Sequence, residues 1–487
     1  MVLAFGIVTV VVMLCAAPGH AFQARLSPDG QFSLHCENTP LRRILTELSR
    51  QGVAVRIDPS IDFKVSADYE NKPVARVLDA ILKDTNHALI WDKCRHCEND
   101  AYALAEIRIF RPGEKDNLQR LSRYRNFALA RHPDTGNLYV RNEALVRVRT
   151  AAGRKALKEL AADIGGAVDG GSRFGIYRVV LPDDISVPAF LERVREKGIG
   201  KAEPNYAHRL SRPRALIDPR IEAPEPADDK SAGKQIPIAV FDSGLSPEMR
   251  HKSYISDVFN AVDPDAPIAD TQGHGTQMTM VAAGAVEPIG TDNTGQNLSP
   301  VMAIQGFDEN GITSNHTVMK GLDFAMDQGA RVLSLSWHTR AASDFLKNSL
   351  KQAREKGLVV ISAAGNKPTG EPVYPAAYPD VVAVGALGPD GDKWDQSNFG
   401  DFVDVQAPGF ANLPVGYQGP PGIYAGTSIA TAYTARQVAG FLAKHPDADT
   451  DAIRQYLASR PSSDKGTETT GNAEKPELPG RKGRRLH

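Results

Sequence analysis

Four residues able to act together on an amide stand at the ends of apolar runs in this chain: Asp242, His274, Asn366 and Ser428. Ser428 lies in Gly426-Thr427-Ser428-Ile429-Ala430, and Ala435, Val438, Ala439 and Leu442 continue that run at helical spacing. A serine at the mouth of a helix meets the partial positive charge of orphan N–H groups, an environment that favours developing negative charge. Its hydroxyl is a poor nucleophile until a base takes the proton. An imidazole titrating near neutrality can be that base, a carboxylate can hold the other ring nitrogen, and a side-chain amide can donate to an oxyanion. Singly, each residue also has a plain structural use. Ser428 could be an N-cap, Asp242 could cap the Ser243-Gly244 turn, His274 could cap a helix, and Asn366 could form a turn.

The elements that must position them are short and regular. Residues 236–241 form a buried-strand run ending at Asp242, Gln272-Gly273-His274-Gly275 opens a small-residue helix, and residues 359–364 form a strand that delivers Asn366. Between and beyond them the patterning predicts strands at 301–304, 331–335, 358–361 and 381–384, and helices at 318–327 and 342–355. Apolar strands alternating with helices specify a mostly parallel sheet covered on both faces. In such sheets, sites form at the carboxyl ends of the strands.

Together, Ala239-Val240-Phe241-Asp242-Ser243-Gly244, Gly273-His274-Gly275-Thr276, Ala363-Ala364-Gly365-Asn366 and Gly426-Thr427-Ser428-Ile429-Ala430 resemble the signatures of the subtilisin-like serine proteases (peptidase S8), in the family's order. The resemblance implies a Ser428/His274/Asp242 triad with Asn366 as oxyanion donor. It also implies that the Leu335-Ser336-Trp337 edge pairs with an extended substrate. The family commonly has glycine where His338 and Val373 stand, so a smaller or more selective pocket is expected unless loop shifts turn both side chains away. Ala432 replaces a usual proline at an early-helix position that tolerates proline without demanding it. Ile429 replaces a usual, oxidisable methionine. No cofactor is required. Many relatives bind structural calcium, and Asp263, Asp265 and Asp270 make an acidic loop, but nothing in the sequence specifies a cage of six to eight oxygen ligands.

Upstream, residues 139–208 read β-α-β-α-β and close on Glu203-Pro204-Asn205-Tyr206. This looks like the inhibitory propeptide of the same family, which implies an intramolecular inhibitor of the cleft. Residues 209–235 are rich in proline and charge and read as a linker open to maturation cleavage or as an uncut spacer. Residues 28–91 read β-α-β-β-α-β, resembling the short N-terminal domain of secretins and TonB-dependent receptors. That implies a periplasmic setting and a protein-binding role, against the plainer reading of a small spacer. Residues 101–138 are expected to be a connector with one added strand near 105–110.

The first residues are apolar as far as Ala17 and read as a signal peptide cut after Ala21 or Ala24. They carry no Lys or Arg before the apolar run, so an uncleaved anchor is the alternative. Of four cysteines, Cys36, Cys94 and Cys97 lie beyond it. Cys94 and Cys97 lack the second C-x-x-C a zinc site would need. A disulfide between them, or from Cys36 to one of them, is expected of an exported chain.

With 487 residues, a net charge of -1 and 24 % charged residues, the composition gives no support to nucleic-acid binding. The expected layout is signal peptide 1–24, secretin/TonB-like domain 28–100, connector 101–138, prodomain 139–208, linker 209–235, catalytic domain 236–459 and disordered tail 460–487. The fold class is α/β: a subtilisin-like, mostly parallel sheet preceded by two small α/β domains. The leading function is a secreted or periplasmic serine endopeptidase made as a zymogen and acting on proteins or peptides. The alternative is an envelope docking protein that binds a partner through residues 28–100, with the protease fold as scaffold or dedicated processor.

Overall fold

Ile238–Asp242 is a strand buried at every position, and its alternate side chains serve two different cores. Ile238 and Val240 face one cluster, Ala239 and Phe241 the other, the period-2 arrangement of a strand covered on both sides. It lies inside a seven-stranded sheet in the order Ile255–Asn260, Val301–Gln305, Ile238–Asp242, Val332–Leu335, Val359–Ala363, Val381–Leu387, Val405–Pro408. All pairings in it are parallel. The chain leaves the central strand first toward one edge and later fills the other, so Asp242 ends the strand at a topological switch point.

One face is covered by the helices His274–Ala283 and Thr427–Lys444, through Met278, Val281, Ile429, Ala435 and Val438. The other is covered by Asn315–Asp327 and Asp344–Glu355, through Val318, Leu322, Phe345 and Leu350. Phe241 lies against the Cα of Gly321, where any side chain would strike its ring. Truncating such a buried phenylalanine to alanine costs about 3–5 kcal/mol.

The computed structural model describes residues 22–459 except 28, 59–60, 62, 94–101, 113–117, 122–126, 183, 212–213, 217–235, 292–297 and 417–420. The expected signal peptide up to residue 21, the Cys94/Cys97 pair, most of the linker and the tail therefore lie outside the described residues.

Before the large sheet come two smaller assemblies. The first holds two sheets, one joining Gln23–Leu26, Gln31–Pro40 and Lys64–Pro73, the other joining Asn86–Lys93, Tyr102–Phe110, Ala54–Ile57 and Gln119–Arg120. With the helices Leu41–Arg50 and Val74–Ile81 they enclose one core running from Ala24 to Leu121. The β-α-β-β-α-β order over 28–91 is present. The strand expected near 105–110 is present as Tyr102–Phe110, with Ile107 and Ile109 fully buried in this core; the rest of the stretch expected as a connector adds the short strands Gln119–Arg120 and Leu129–Arg131. Two or three residues are too few to show an alternating pattern. Cys36 is a free, buried thiol donating to the Val65 carbonyl, so the expected bridge from it is not formed among the described residues.

The second assembly is an antiparallel sheet in the order Ala167–Val168, Ile176–Val180, Leu138–Arg147, Lys201–Arg209, with Leu129–Arg131 beside Leu138–Arg147. The helices Ala151–Asp163 and Val187–Glu196 close its core with Leu157, Phe190 and Val194. Both are capped by side-chain hydroxyls, Thr150 accepting from the Gly153 N–H and Ser186 from the Ala189 N–H. The sheet does not stop at its own edge: Lys201–Arg209 pairs antiparallel with Ile312–Ser314, which leads into a covering helix of the large sheet.

Candidate active site

Asp242, the last residue of the central strand, and His274, the first residue of its helix, meet with Oδ1 and Nδ1 2.6 Å apart, both fully buried. The same Asp242 oxygen accepts the Ser243 N–H at 2.7 Å. The helix entry is shaped by Gly273, whose φ of 79° lies in the left-handed region and where a Cβ would strike the Gly416 carbonyl.

Asp270 anchors that entry. Its Oδ1 accepts from Ser243 Oγ at 2.8 Å, Gln272 N–H at 3.1 Å and Gly273 N–H at 2.8 Å. Its Oδ2 accepts from Thr276 N–H at 2.8 Å and Thr276 Oγ1 at 2.7 Å. Ser243 Oγ in turn accepts the Gly275 N–H at 2.7 Å. Asp270 thus ties the turn after Asp242 to the first turn of the His274 helix, a role the acidic-loop reading missed. The signal available was its position four residues before His274, where a carboxylate can satisfy orphan helix donors. Both oxygens of Asp270 are engaged by protein donors. Among the described residues no cluster of three or more His, Cys, Asp or Glu could hold a metal.

Ser428, second residue of the long helix, donates from Oγ to the Ser336 carbonyl at 3.1 Å, and Ser336 Oγ returns a bond to the Ser428 carbonyl at 3.3 Å. Asn366 follows the strand Val359–Ala363. Its Oδ1 accepts both the N–H and the hydroxyl of Thr427, each at 2.9 Å. That fixes the amide orientation and leaves Nδ2 facing Gly426, where an added Cβ would lie 3.4 Å away. Thr427, not singled out from the sequence, is the residue that aims the amide. The four predicted residues converge from separate elements at one end of the parallel sheet.

The predicted substrate edge divides. Leu335 is a core side chain. Ser336 offers its carbonyl to Ser428, and Trp337 is fully buried with its ring stacked on His208, centroids 5.2 Å apart. His338 faces the cleft: its Nδ1 lies 3.0 Å from Ser211 Oγ, and a Cβ on Gly365 would come within 3.1 Å of its ring. Val373 points elsewhere, packing with Ala376, Ala383 and Phe402.

Two stretches of the upstream chain pair with backbone near this rim. Ala207, His208 and Arg209 pair with Ser314, Thr313 and Ile312, and the Leu210 N–H donates to the Gly311 carbonyl at 2.8 Å. After two residues outside the described set, Arg214–Leu216 pairs antiparallel with Gly422–Ala425, the strand that runs into Gly426 and Ser428.

The upstream unit also caps the covering helices. Glu203 accepts from Ser343 Oγ and, at 3.4 Å, from the Phe345 N–H at the start of Asp344–Glu355. Asn205 Oδ1 accepts the His316 N–H at 3.0 Å at the start of Asn315–Asp327. Burial pushes the Glu203 carboxyl up to about 7. His208, whose Nε2 donates to Asn315 Oδ1 at 2.7 Å, is pushed down to about 4 by burial, and burial likewise takes His338 down to about 4.

Residues 233–473 match the model of the subtilase family. Over 231 residues the chain is 33% identical to thermitase of Thermoactinomyces vulgaris, spanning 46% of this chain and 80% of thermitase. Over 247 residues it is 30% identical to a subtilisin of Bacillus pumilus, spanning 49% and 88% of the two. Among solved structures, fervidolysin of Fervidobacterium pennivorans, described as a keratinolytic enzyme related to subtilisin, superposes with a TM-score of 0.51 at 21% identity. That superposition covers 69% of this chain and 61% of fervidolysin, and it bears on the fold alone. A parallel sheet that ends Asp242 beside His274 and brings Ser428 to the same rim, together with these likenesses, places the chain in the subtilase family as a subtilisin-like serine endopeptidase.

Proposed function

We propose that Ser428, His274, Asp242 and Asn366 form the hydrolytic machinery of an endopeptidase made as a self-blocked zymogen, with residues 139–208 as its inhibitor. The observation that carries the reading is the 2.6 Å Asp242–His274 contact at the sheet rim where Ser428 and the oriented Asn366 also stand. Asp242 keeps the imidazole in the tautomer with its proton on Nδ1, leaving Nε2 to accept. At rest the Ser428 hydroxyl is held by the Ser336 carbonyl; attack requires that it hand its proton to His274 instead. The oxyanion that forms receives Asn366 Nδ2 and the Ser428 N–H at the helix mouth.

Ser428→Ala is expected to abolish casein hydrolysis and to leave the precursor full length. Asn366→Ala is expected to lower kcat by roughly 100- to 1000-fold with KM little changed. Broad casein turnover by the wild type, lost in Ser428→Ala, supports the reading, and turnover that survives Ser428→Ala sinks it.

The zymogen reading is supported by the ladders that Ala207–Leu210 and Arg214–Leu216 form with Gly311–Ser314 and Gly422–Ala425, and by the caps that Glu203 and Asn205 supply. Export rests on the apolar start of the chain. Ala24 is buried and paired with Leu34 in the first sheet, which favours removal after Ala21 over Ala24. N-terminal sequencing of exported Ser428→Ala should therefore begin at residue 22. Among the described residues no helix is long and apolar enough to cross a membrane. A second reading, docking of an envelope protein on residues 28–100, is favoured by Trp91, one of the exposed large hydrophobic side chains, with exposed Tyr102 on the neighbouring strand. Partner capture by the full chain, weakened by Trp91→Ala, would support it.

A further inference from the structure

A peptide amide attacked by Ser428 can lie only one way round. Its oxygen turns to Asn366 Nδ2 and the Ser428 N–H, and its departing nitrogen must reach His274, which returns the proton to it. The α-carbon on the acyl side therefore lies away from His274. The sheet order shows what stands there: beyond Ile238–Asp242, which carries Asp242, come Val332–Leu335 and then Val359–Ala363. Their ends deliver Ser336, whose carbonyl holds the Ser428 hydroxyl at 3.1 Å, and Gly365, whose N–H donates to Thr427 Oγ1 at 3.2 Å. The gap between these two strand ends, next to both Ser428 and Asn366, is where the acyl-side side chain must go.

That gap holds the His338 ring. His338 stands two residues beyond Ser336, and its Cε1 and Nε2 lie 3.1 Å from the place a Cβ on Gly365 would take. Its Nδ1 is 3.0 Å from Ser211 Oγ. The backbone that follows is pinned: Thr339 and Tyr374 each donate an N–H to the other's carbonyl at 2.7 Å, and Arg340 pairs with Glu371 at 2.7 Å across the same junction. The strand cannot slide back to deepen the gap, so a long side chain enters only if the ring leaves. Burial holds the imidazole neutral above about pH 4, so it offers no charge to an acidic side chain.

Resting on the Ser428, His274 and Asn366 reading above, we propose that the His338 ring occupies the seat of the acyl-side side chain, so that the enzyme cuts after glycine and alanine. Its substrates are then glycine- and alanine-rich segments of proteins. A hydrogen or a methyl group fits beside the ring, whereas leucine or phenylalanine must displace it, and such overpacking is costly.

The test is kcat/KM of the exported protein as wild type, Ser428→Ala, His338→Gly and His338→Ala. The fluorogenic peptides differ only in carrying glycine, alanine, leucine or phenylalanine before the cleaved amide, and mass spectrometry identifies the cut bond. Wild type should turn over the alanine peptide roughly 100-fold better than the phenylalanine peptide. His338→Gly should erase that difference by raising phenylalanine turnover, with the glycine peptide little changed. His338→Ala should open the seat partway and admit leucine. A uniform fall on all four peptides, with their order unchanged, gives His338 a structural role only and overturns the proposal. Where a variant does not fold, the wild-type order decides: leucine or phenylalanine preferred over alanine overturns the proposal and leaves the triad reading intact. Cleavage that survives in Ser428→Ala, or wild type that cuts none of the peptides, overturns the triad reading and this proposal with it.

Discussion

At the scale of single residues, Asp270 shows how much of the site's geometry depends on a group that never meets substrate. It holds the turn after Asp242 and the first turn of the His274 helix with one carboxylate. Asp270→Asn puts an amide donor where Thr276 presents its own N–H, so that bond is lost, the hydroxyl must turn to accept, and the helix entry shifts. Because misplacement of a base is felt in the transition state, kcat should fall roughly tenfold or more while KM stays near the wild-type value. An unchanged kcat, measured on a peptide substrate with Asp270→Asn, would show that Gly273 and Ser243 position His274 without it. Asp242, His274, Asn366 and Ser428 were legible because their chemistry demands those residue types at strand ends and helix mouths. Asp270 was legible only as one of three acidic residues, since a sequence shows charge but not which donors converge on it. The pocket was half legible: His338 and Val373 both depart from glycine, yet only the fold shows that His338 faces Ser211 while Val373 packs among Ala376, Ala383 and Phe402.

Among elements, the informative pair is the strand Lys201–Arg209 and the two helices it caps. Glu203 is raised from an ordinary 4.5 to about 7 when docked, chiefly by burial, with Asp344 nearby adding to it and the Ser343 and Phe345 donors opposing. A folded pKa above the released one means that this contribution is whole below about pH 4.5 and is lost as pH rises through about 7. Across that window it changes by up to ~1.4 kcal/mol per pH unit. His208 in the same strand works the other way. Lowered from 6.5 to about 4, it contributes fully above 6.5 and loses its contribution as pH falls through 4. The two oppose each other in acid, and near neutrality Asp308, raised by burial to about 7 in the loop that leads into Ile312–Ser314, shares the window with Glu203. After processing, the proposed inhibitor should therefore dissociate faster at pH 7.5 than at pH 6.5, read as the rate at which activity appears. Glu203→Gln should reduce that difference, and a difference unchanged in Glu203→Gln would assign it to Asp308 or another group. The covering helices and five of the seven parallel strands were legible from periodicity, whereas Ile255–Asn260, Val405–Pro408, Ile312–Ser314 and Arg214–Leu216 were not. Each is short and half polar, and each becomes a strand only by pairing with a partner distant in sequence. That is why the stretch from Arg209, read as a linker, proved to contribute Arg209 and Leu210 to one ladder and Arg214–Leu216 to another.

For the whole molecule, the division of hydrophobic cores sets what can be removed without harm. The first core runs from Ala24 to Leu121 and draws no member from later in the chain. The core beneath the helices Asn315–Asp327 and Asp344–Glu355 is shared: Leu145, Phe174, Ile176 and Leu210 from the upstream unit pack with Phe241, Phe307 and Phe345. Ion pairs from Arg173 to Asp323 and Asp327 cross the same boundary, as does the ladder to Ile312–Ser314. The unit over 129–210 and the large sheet are thus joined by apolar burial, charge and backbone pairing, while the first unit is closed on itself. Contributions from units without shared partners add independently. Deleting residues 22–121 should therefore leave self-processing within about twofold of the full chain's rate, because no buried side chain of the remaining cores loses its packing. Removing Arg173 by Arg173→Ala should instead loosen that unit from the sheet, since Asp323 is left partly buried without its guanidinium partner. Mass spectrometry of both variants over time separates the cases. If the deletion fails to process while Arg173→Ala behaves as wild type, coupling runs through the first unit, and the division of the molecule drawn from its cores is wrong.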